Sequence, residues 1–119
     1  MADIRQLTDT FAVAPQIELE DFAELKAMGF RHVINNRPDG EDHHQPTSDE
    51  AERAAKAAGL TYTQAPFVGA PTPEAVNAAK AALSSGEPTL AFCRSGTRSS
   101  HAWSSFVLTA ALAFSNGKP

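Results

Sequence analysis

Residues 89–99 read TLAFCRSGTRS, an apolar run followed by a short polar loop. The run over residues 89–93 does not alternate between apolar and polar positions, which is typical of a central strand buried on both faces. Such a strand would deliver Cys93 to one edge of a sheet, and a helix is predicted from residue 99 to about residue 114. Loops that follow the strands of such sheets usually carry function. The segment therefore predicts an α/β fold with a functional loop at the end of a central strand.

Short apolar runs and alanine-rich stretches alternate in the rest of the chain. Strands are predicted over residues 10–14, 30–35 and 61–67, and helices over about 19–28, 47–59 and 73–84. Thr47 and Glu50 have the spacing of a capping box, and Thr72 with Pro73 marks another helix start. In the first helix the apolar residues that share one face are Leu19, Phe22, Ala23 and Leu25. This pattern predicts one domain over residues 1–119, with a short, mostly parallel central sheet flanked by helices.

The composition excludes several classes of protein. The chain has 119 residues, a formal net charge of −4 and no run of lysine or arginine, which argues against nucleic-acid binding. It has no apolar run long enough to span a membrane and no signal-peptide pattern, so we expect a cytoplasmic protein without a membrane partner. Its single cysteine cannot form an intramolecular disulfide. Cys93 is therefore either a small core side chain or a thiol retained for its chemistry.

The residues after Cys93 favour the chemical role. Gly96 allows a tight turn with positive φ, so that successive backbone N–H groups can point inward and bind an anion. The following helix adds the positive end of its dipole, and Arg98 offers a planar fork of donors. Together these groups favour the thiolate of Cys93, the form that attacks, and we expect it at the rim of the loop. The predicted anion-binding residues are Arg94, Ser95, Gly96, Thr97 and Ser99, of which Ser95 or Ser99 could donate a hydroxyl hydrogen bond to sulfur.

A second polar segment follows the predicted strand over residues 30–35. That strand should end beside Cys93, so the candidate residues for the pocket rim are Asn36, Arg37 and Asp39. A solvated surface position is the ordinary alternative for Arg37, and a turn is the ordinary alternative for the acidic residues. His43 and His44 do not have the spacing of a metal site, so we predict no metal. The sequence indicates no cofactor.

The loop from Cys93 to Ser99 resembles the active-site loops of rhodaneses and of cysteine-dependent phosphatases. Together with residues 11–15 and 33–41 it is similar to the phosphatase-like domain of the beta-lactamase hydrolase-like proteins, over nearly the whole chain. The resemblance implies a compact fold of the dual-specificity-phosphatase type. It also implies a connection to sulfide or persulfide oxidation, with a separate persulfide dioxygenase as a possible partner.

Three functions are compatible with the loop. Four residues separate Cys93 from Arg98, which is the rhodanese spacing, whereas the phosphatase signature has five. Phe92 stands where phosphatases carry histidine, and residues 68–73 contain no carboxylate that could protonate a leaving group. We therefore predict a rhodanese-like sulfurtransferase that accepts sulfur from a small sulfur-containing anion or persulfide and carries it as a Cys93 persulfide. The alternatives are a phosphatase that uses Cys93 and Arg98 on a phosphorylated substrate, with Asp39, Glu41 or Asp42 as a substitute acid, and a non-catalytic anion-binding module.

Overall fold

The computed structural model describes residues 3–105. In chain order the elements are β1 (Arg5–Gln6), β2 (Phe11–Ala14), α1 (Asp21–Ala27), β3 (His32–Asn35), α2 (Ser48–Ala57), β4 (Thr61–Gln64), α3 (Pro73–Ser85) and β5 (Thr89–Phe92). A further helix, α4, begins at residue 97 and is described to residue 105. None of the described helices is long and apolar enough to cross a membrane.

The five strands form one sheet in the order β1-β2-β5-β3-β4. All neighbouring strands are parallel except β1, which runs antiparallel to β2. Phe92, the last residue of β5, lies opposite Ala14 of β2 and Asn35 of β3. The carboxyl ends of these three strands therefore meet at one level of the sheet edge, which places the residues after each strand side by side.

The central position predicted for the strand before Cys93 is confirmed. All four residues of β5 are at most 1% exposed. Leu90 and Phe92 belong to the core shared with α1 and α2, and Ala91 belongs to the core on the other face, shared with α3 and α4. The absence of alternation in this run arises because both faces of β5 are covered by helices.

The helix ends follow the signals that predicted them. Thr47 and Glu50 form both hydrogen bonds of the capping box, and the Thr72 side chain accepts from the backbone N–H of Ala75. The face predicted for the first helix is partly wrong. Only Phe22 and Leu25 are buried, because residues 18–21 form a turn and α1 begins at Asp21.

Two strands also differ from their predictions. The strand predicted over residues 61–67 ends at Gln64, and the two-residue strand β1 was not predicted because it is too short to show a pattern. The predicted helix over 99–114 begins at residue 97, two residues earlier. Its apolar positions Phe106, Val107 and Ala110 lie outside the described residues.

Candidate active site

Cys93 lies immediately after β5 and is 0% exposed. Its backbone N–H donates to the Ala14 carbonyl at 3.4 Å, and its Sγ accepts a hydrogen bond from the Gly96 N–H at 3.1 Å. The prediction that Cys93 stands at the rim of the loop is therefore wrong. Cys93 is enclosed, because chain segments following β2 and β3 are hydrogen-bonded to this end of β5 on either side.

Gly96 determines the path of the loop. Its φ of +91° is in the region that favours glycine, and a Cβ at this position would lie 3.4 Å from the carbonyl carbon of Ala14. The loop is also held to the segment after β2 by a hydrogen bond from the Gln16 N–H to the Arg94 carbonyl at 3.2 Å. This geometry aims the Gly96 N–H at the sulfur, whereas the Thr97 N–H donates to the Ser95 hydroxyl at 3.4 Å.

Arg98, in the first turn of α4, forms an ion pair with Glu41. Its Nη1 and Nη2 donate to the two carboxylate oxygens of Glu41 at 2.9 and 2.8 Å, and Nη1 also donates to the Phe67 carbonyl at 3.2 Å. The Nε of Arg98 has no hydrogen-bond partner among residues 3–105. The Nε–H and the second N–H of Nη2 are thus available for an anion, while Nη1 and the other N–H of Nη2 hold the guanidinium in place.

Glu41 also binds the second arginine of the site. Arg37 is buried, and its Nε donates to Glu41 Oε1 at 2.9 Å while its Nη1 donates to Gln16 Oε1 at 2.9 Å. The sequence predicted a position for Arg37 at the pocket rim, but it did not identify Glu41 or Gln16 as its partners. Two arginines expected at one sheet edge require a counter-charge, which was the available signal for Glu41.

The hydrogen bonds from Arg98 and then Arg37 lower the pKa of Glu41 from 4.5 to about 2. A lowered pKa means that the ionised carboxylate stabilises the folded state above pH 4.5 and that this contribution is lost as the pH falls towards 2. We expect Glu41→Gln to lower the free energy of unfolding at pH 7, and the difference from wild type to shrink between pH 4.5 and 2. Urea denaturation across this range measures it. Glu52→Gln, which breaks an exposed pair with Lys56, is the matched control, and an equal pH dependence in both variants would contradict the assignment.

Asn36 and Ser99 form a buried pair that joins the end of β3 to α4. The Ser99 hydroxyl donates to Asn36 Oδ1 at 2.8 Å, and Asn36 Nδ2 donates to the Ala65 carbonyl at 2.9 Å. The prediction that Ser95 or Ser99 donates to the sulfur is therefore wrong. Ser99 is bound to Asn36, and Ser95 is bound to the Thr97 hydroxyl at 3.0 Å, because both hydroxyls have nearer oxygen acceptors.

Replacing Asn36 by alanine should destabilise the protein by about 2 to 3 kcal/mol, because the buried Ala65 carbonyl and Ser99 hydroxyl both lose a partner. Ser99→Ala removes only one of these two bonds and should cost about 1 kcal/mol. Urea denaturation of both single variants and the double variant measures the coupling between the two side chains. Additive effects of the two substitutions would show that the hydrogen bond contributes nothing.

The remaining predicted residues, Asp39 and Arg94, are exposed. Asp39 is exposed and accepts a hydrogen bond from the Ser48 N–H at 2.8 Å, at the first residue of α2, so it contacts none of the loop residues. Arg94 is exposed and lines a cavity of about 260 Å³ together with Arg37. No three His, Cys, Asp or Glu side chains between residues 3 and 105 are placed to hold a metal ion.

Comparison with known proteins identifies the family of the chain. The family model described as "Beta-lactamase hydrolase-like protein, phosphatase-like domain" matches residues 3–113. The chain belongs to this family. A beta-lactamase hydrolase-like protein of Xylella fastidiosa (strain Temecula1) is 36% identical over 97 residues, which cover 80% of this chain and 22% of that protein. The chain thus corresponds to about a fifth of the length of this relative.

Solved structures show the same fold. A candidate phosphatase of Neisseria meningitidis Z2491 aligns with a TM-score of 0.76 and 28% identity, over 98% of this chain and 80% of that chain. Kinase associated phosphatase, solved with its catalytic-site cysteine replaced by serine, aligns with a TM-score of 0.69 and 15% identity, over 92% and 73% of the two chains. The domain therefore has the compact α/β fold of the cysteine phosphatases, as the beta-lactamase hydrolase-like resemblance implied. These similarities support the phosphatase alternative rather than the predicted sulfurtransferase.

Proposed function

We propose that the chain is a cysteine-dependent phosphatase in which Cys93 is the nucleophile and Arg98 binds the phosphoryl oxygens. The observation that carries the proposal is the joint placement of Cys93 Sγ, the Gly96 N–H at 3.1 Å from it, and Arg98 in the first turn of α4. Backbone N–H groups and a guanidinium at a helix N-terminus are the donors that suit a tetrahedral oxyanion. The family and the fold neighbours support phosphoryl transfer as the chemistry at this site.

The proposed reaction has two steps. In the first, the Cys93 thiolate attacks phosphorus, an S–P bond forms, and the bond from phosphorus to the leaving oxygen breaks with its electron pair on that oxygen. In the second, water attacks phosphorus, an O–P bond forms, the S–P bond breaks and the thiolate is regenerated, while the proton of the water passes to solvent or phosphate. The Gly96 N–H stabilises the thiolate at the start and at the end of the cycle.

Glu41 acts on this reaction through Arg98. The bidentate pair fixes the plane of the guanidinium, so that Nε points to one place and loses little freedom when an anion binds. Asn36 serves the same purpose from the other side, because it holds Ser99 and thereby the first turn of α4. These are positioning residues, and the groups that touch the phosphoryl oxygens are the loop amides and Arg98.

Sulfur transfer is the second candidate, favoured by the four-residue interval between Cys93 and Arg98. In that reaction the thiolate attacks a sulfane sulfur, an S–S bond forms, and the donor's S–S bond breaks with its electron pair on the departing sulfite or thiolate. An acceptor thiolate then takes the outer sulfur and regenerates the Cys93 thiolate. The loop is one residue shorter than the phosphatase signature, and it would suit a sulfur-donor anion such as thiosulfate as well as a phosphoryl group.

Intact-mass measurement after rapid acid quenching separates the two candidates. The protein is incubated in parallel with para-nitrophenyl phosphate and with thiosulfate, and the same is done with Cys93→Ser. Phosphatase chemistry predicts continuous release of nitrophenol and a trapped adduct with the mass of a phosphoryl group, absent from the variant. A stable gain of one sulfur atom from thiosulfate, with no turnover of the phosphate ester, would establish sulfur transfer instead. The absence of both adducts and of turnover would leave only anion binding.

A further inference from the structure

The energetic difficulty of phosphoryl transfer to a thiolate depends on the group that leaves. When an alkyl monoester is cleaved, the leaving oxygen becomes an alkoxide, which must be protonated in the transition state if the reaction is to be fast. A positioned acid for this proton contributes roughly 10² to 10⁴-fold to the rate. Phosphate and carboxylate leaving groups, and the anions of acidic phenols, are stable without that proton. The side chains around Arg98 therefore determine which substrates can be used.

The segment between β4 and α3 borders Arg98 but contains no acid. The Phe67 carbonyl accepts the hydrogen bond from Arg98 Nη1 at 3.2 Å, which places the following residues at the mouth of the site. Residues 68–72 read VGAPT, with Val68 73% exposed. The first carboxylate beyond them, Glu74, lies in the first turn of α3, where an acidic side chain favours the helix dipole.

Glu41 is the carboxylate that reaches Arg98, and it is held as an anion. Both of its oxygens accept hydrogen bonds from Arg98, and Oε1 accepts a second one from Arg37. These three hydrogen bonds favour the ionised carboxylate over the protonated acid, and they lower the pKa of Glu41 to about 2. At neutral pH this side chain has no proton to give to a leaving group.

None of the other titratable side chains between residues 3 and 105 is hydrogen-bonded to Cys93 or Arg98. Asp42 accepts a hydrogen bond from the His44 N–H, and Asp39 accepts one from the Ser48 N–H. His43 lines a cavity with Glu41, His44 lines one with Arg37 and Arg94, and His101 lines a third with residues 69–71. The walls of these three cavities include neither Cys93 nor Arg98. Residues 106–119, outside the described part of the chain, contain no Asp, Glu, His, Cys or Tyr.

We infer that this site acts on phosphoryl donors whose leaving oxygen departs as a stable anion, such as phosphoric anhydrides, acyl phosphates and phosphates of acidic phenols, and not on alkyl monoesters. The inference rests on the proposed phosphatase function and names its substrate class. The nucleophile and the oxyanion donors are in place, and selectivity arises because the leaving oxygen must depart unprotonated.

The test is a series of phosphate esters of equal charge, from nitrophenyl through phenyl to alkyl, together with acetyl phosphate and pyrophosphate. We expect kcat/KM for the alkyl ester to be at least about 100-fold below that for the nitrophenyl ester, with a continuous decrease as the leaving group becomes more basic. We also expect turnover of acetyl phosphate or pyrophosphate. A series that varies by less than about tenfold would overturn the inference while leaving the phosphatase function intact. No turnover of any member would overturn both.

Variants of the nearby titratable residues make the test sharper. If Glu41 only positions Arg98, Glu41→Gln lowers kcat/KM by the same factor for nitrophenyl and alkyl esters. A general acid at one of these carboxylate or imidazole groups would instead show a loss confined to the basic leaving groups, which would overturn the inference. The variants that test this are Glu41→Gln, His43→Gln, His44→Gln and His101→Gln. Glu52→Gln, on the exposed face of α2, is the control and should leave the whole series unchanged.

Discussion

Cys93→Ser is expected to lower kcat/KM for nitrophenyl phosphate by more than about 10⁴-fold, since removal of a nucleophile has effects of this size in enzymes with covalent intermediates. The serine hydroxyl is protonated at neutral pH, and in the described part of the chain no base that could activate it is hydrogen-bonded to position 93. Within residues 3–105 the one hydrogen bond to the Cys93 side chain comes from the Gly96 N–H, which stabilises an anion but cannot remove a proton.

The same substitution should have little effect on folding. Serine is close to cysteine in size, and its hydroxyl can accept the hydrogen bond from Gly96 in the buried space that sulfur occupies. We expect a change in the free energy of unfolding of at most about 1 to 2 kcal/mol. Steady-state kinetics and urea denaturation measure the two quantities on one preparation. Residual activity above about one hundredth of wild type, with the fold preserved, would exclude Cys93 as the nucleophile.

Arg98→Lys should lower kcat/KM by about 100 to 1,000-fold, the range observed when one oxyanion donor is removed. Lysine keeps the positive charge, but its three N–H groups cannot replace the three hydrogen bonds to Glu41 and the Phe67 carbonyl and still donate to the substrate. The loss should lie mainly in kcat, because the oxygens carry more charge in the transition state than in the bound substrate.

Arg94→Lys is the matched control for this substitution. It makes the same chemical change in the same loop, but Arg94 is exposed and its guanidinium makes no hydrogen bond among residues 3–105. We expect less than a tenfold effect on kcat/KM, because an exposed arginine acts mainly through its charge and lysine carries the same charge. Equal losses in both variants would mean that charge alone, rather than the geometry of Arg98, supports the reaction.

The fold could be predicted from the sequence where a short stretch of residues shows a pattern that only one structural position explains. The apolar run ending at Phe92 indicated a central strand because only a strand covered on both faces lacks alternation, and β5 has that position. The capping residues Thr47 and Thr72 predicted helix starts because their side chains satisfy backbone N–H groups within three residues. The edge strand β1 escaped prediction, since two residues carry no periodicity.

The site was predictable to a smaller extent. Cys93, Gly96 and Arg98 are neighbours in sequence, and their chemistry could be interpreted without long-range information. The partners of Arg98 and Ser99 lie 57 and 63 residues away, on the segment after β3. The parallel arrangement of β3 and β5 indicated that the two segments meet, but it could not show that Glu41 binds Arg98 while Asp39 faces α2. Which of the two acidic residues binds Arg98 depends on where each side chain lies in the turn and on how long it is.

The arrangement of Arg37, Glu41 and Arg98 also determines the charge balance of the site. One carboxylate faces two guanidinium groups, so one positive charge is left over, and a thiolate at Cys93 would neutralise it. A dianionic substrate would then approach a neutral centre in a chain whose formal net charge is −4. Long-range attraction would not concentrate such a substrate at the site. Its capture would depend on the N–H groups that it meets at contact, within a distance much shorter than the Debye length of about 8 Å in physiological salt.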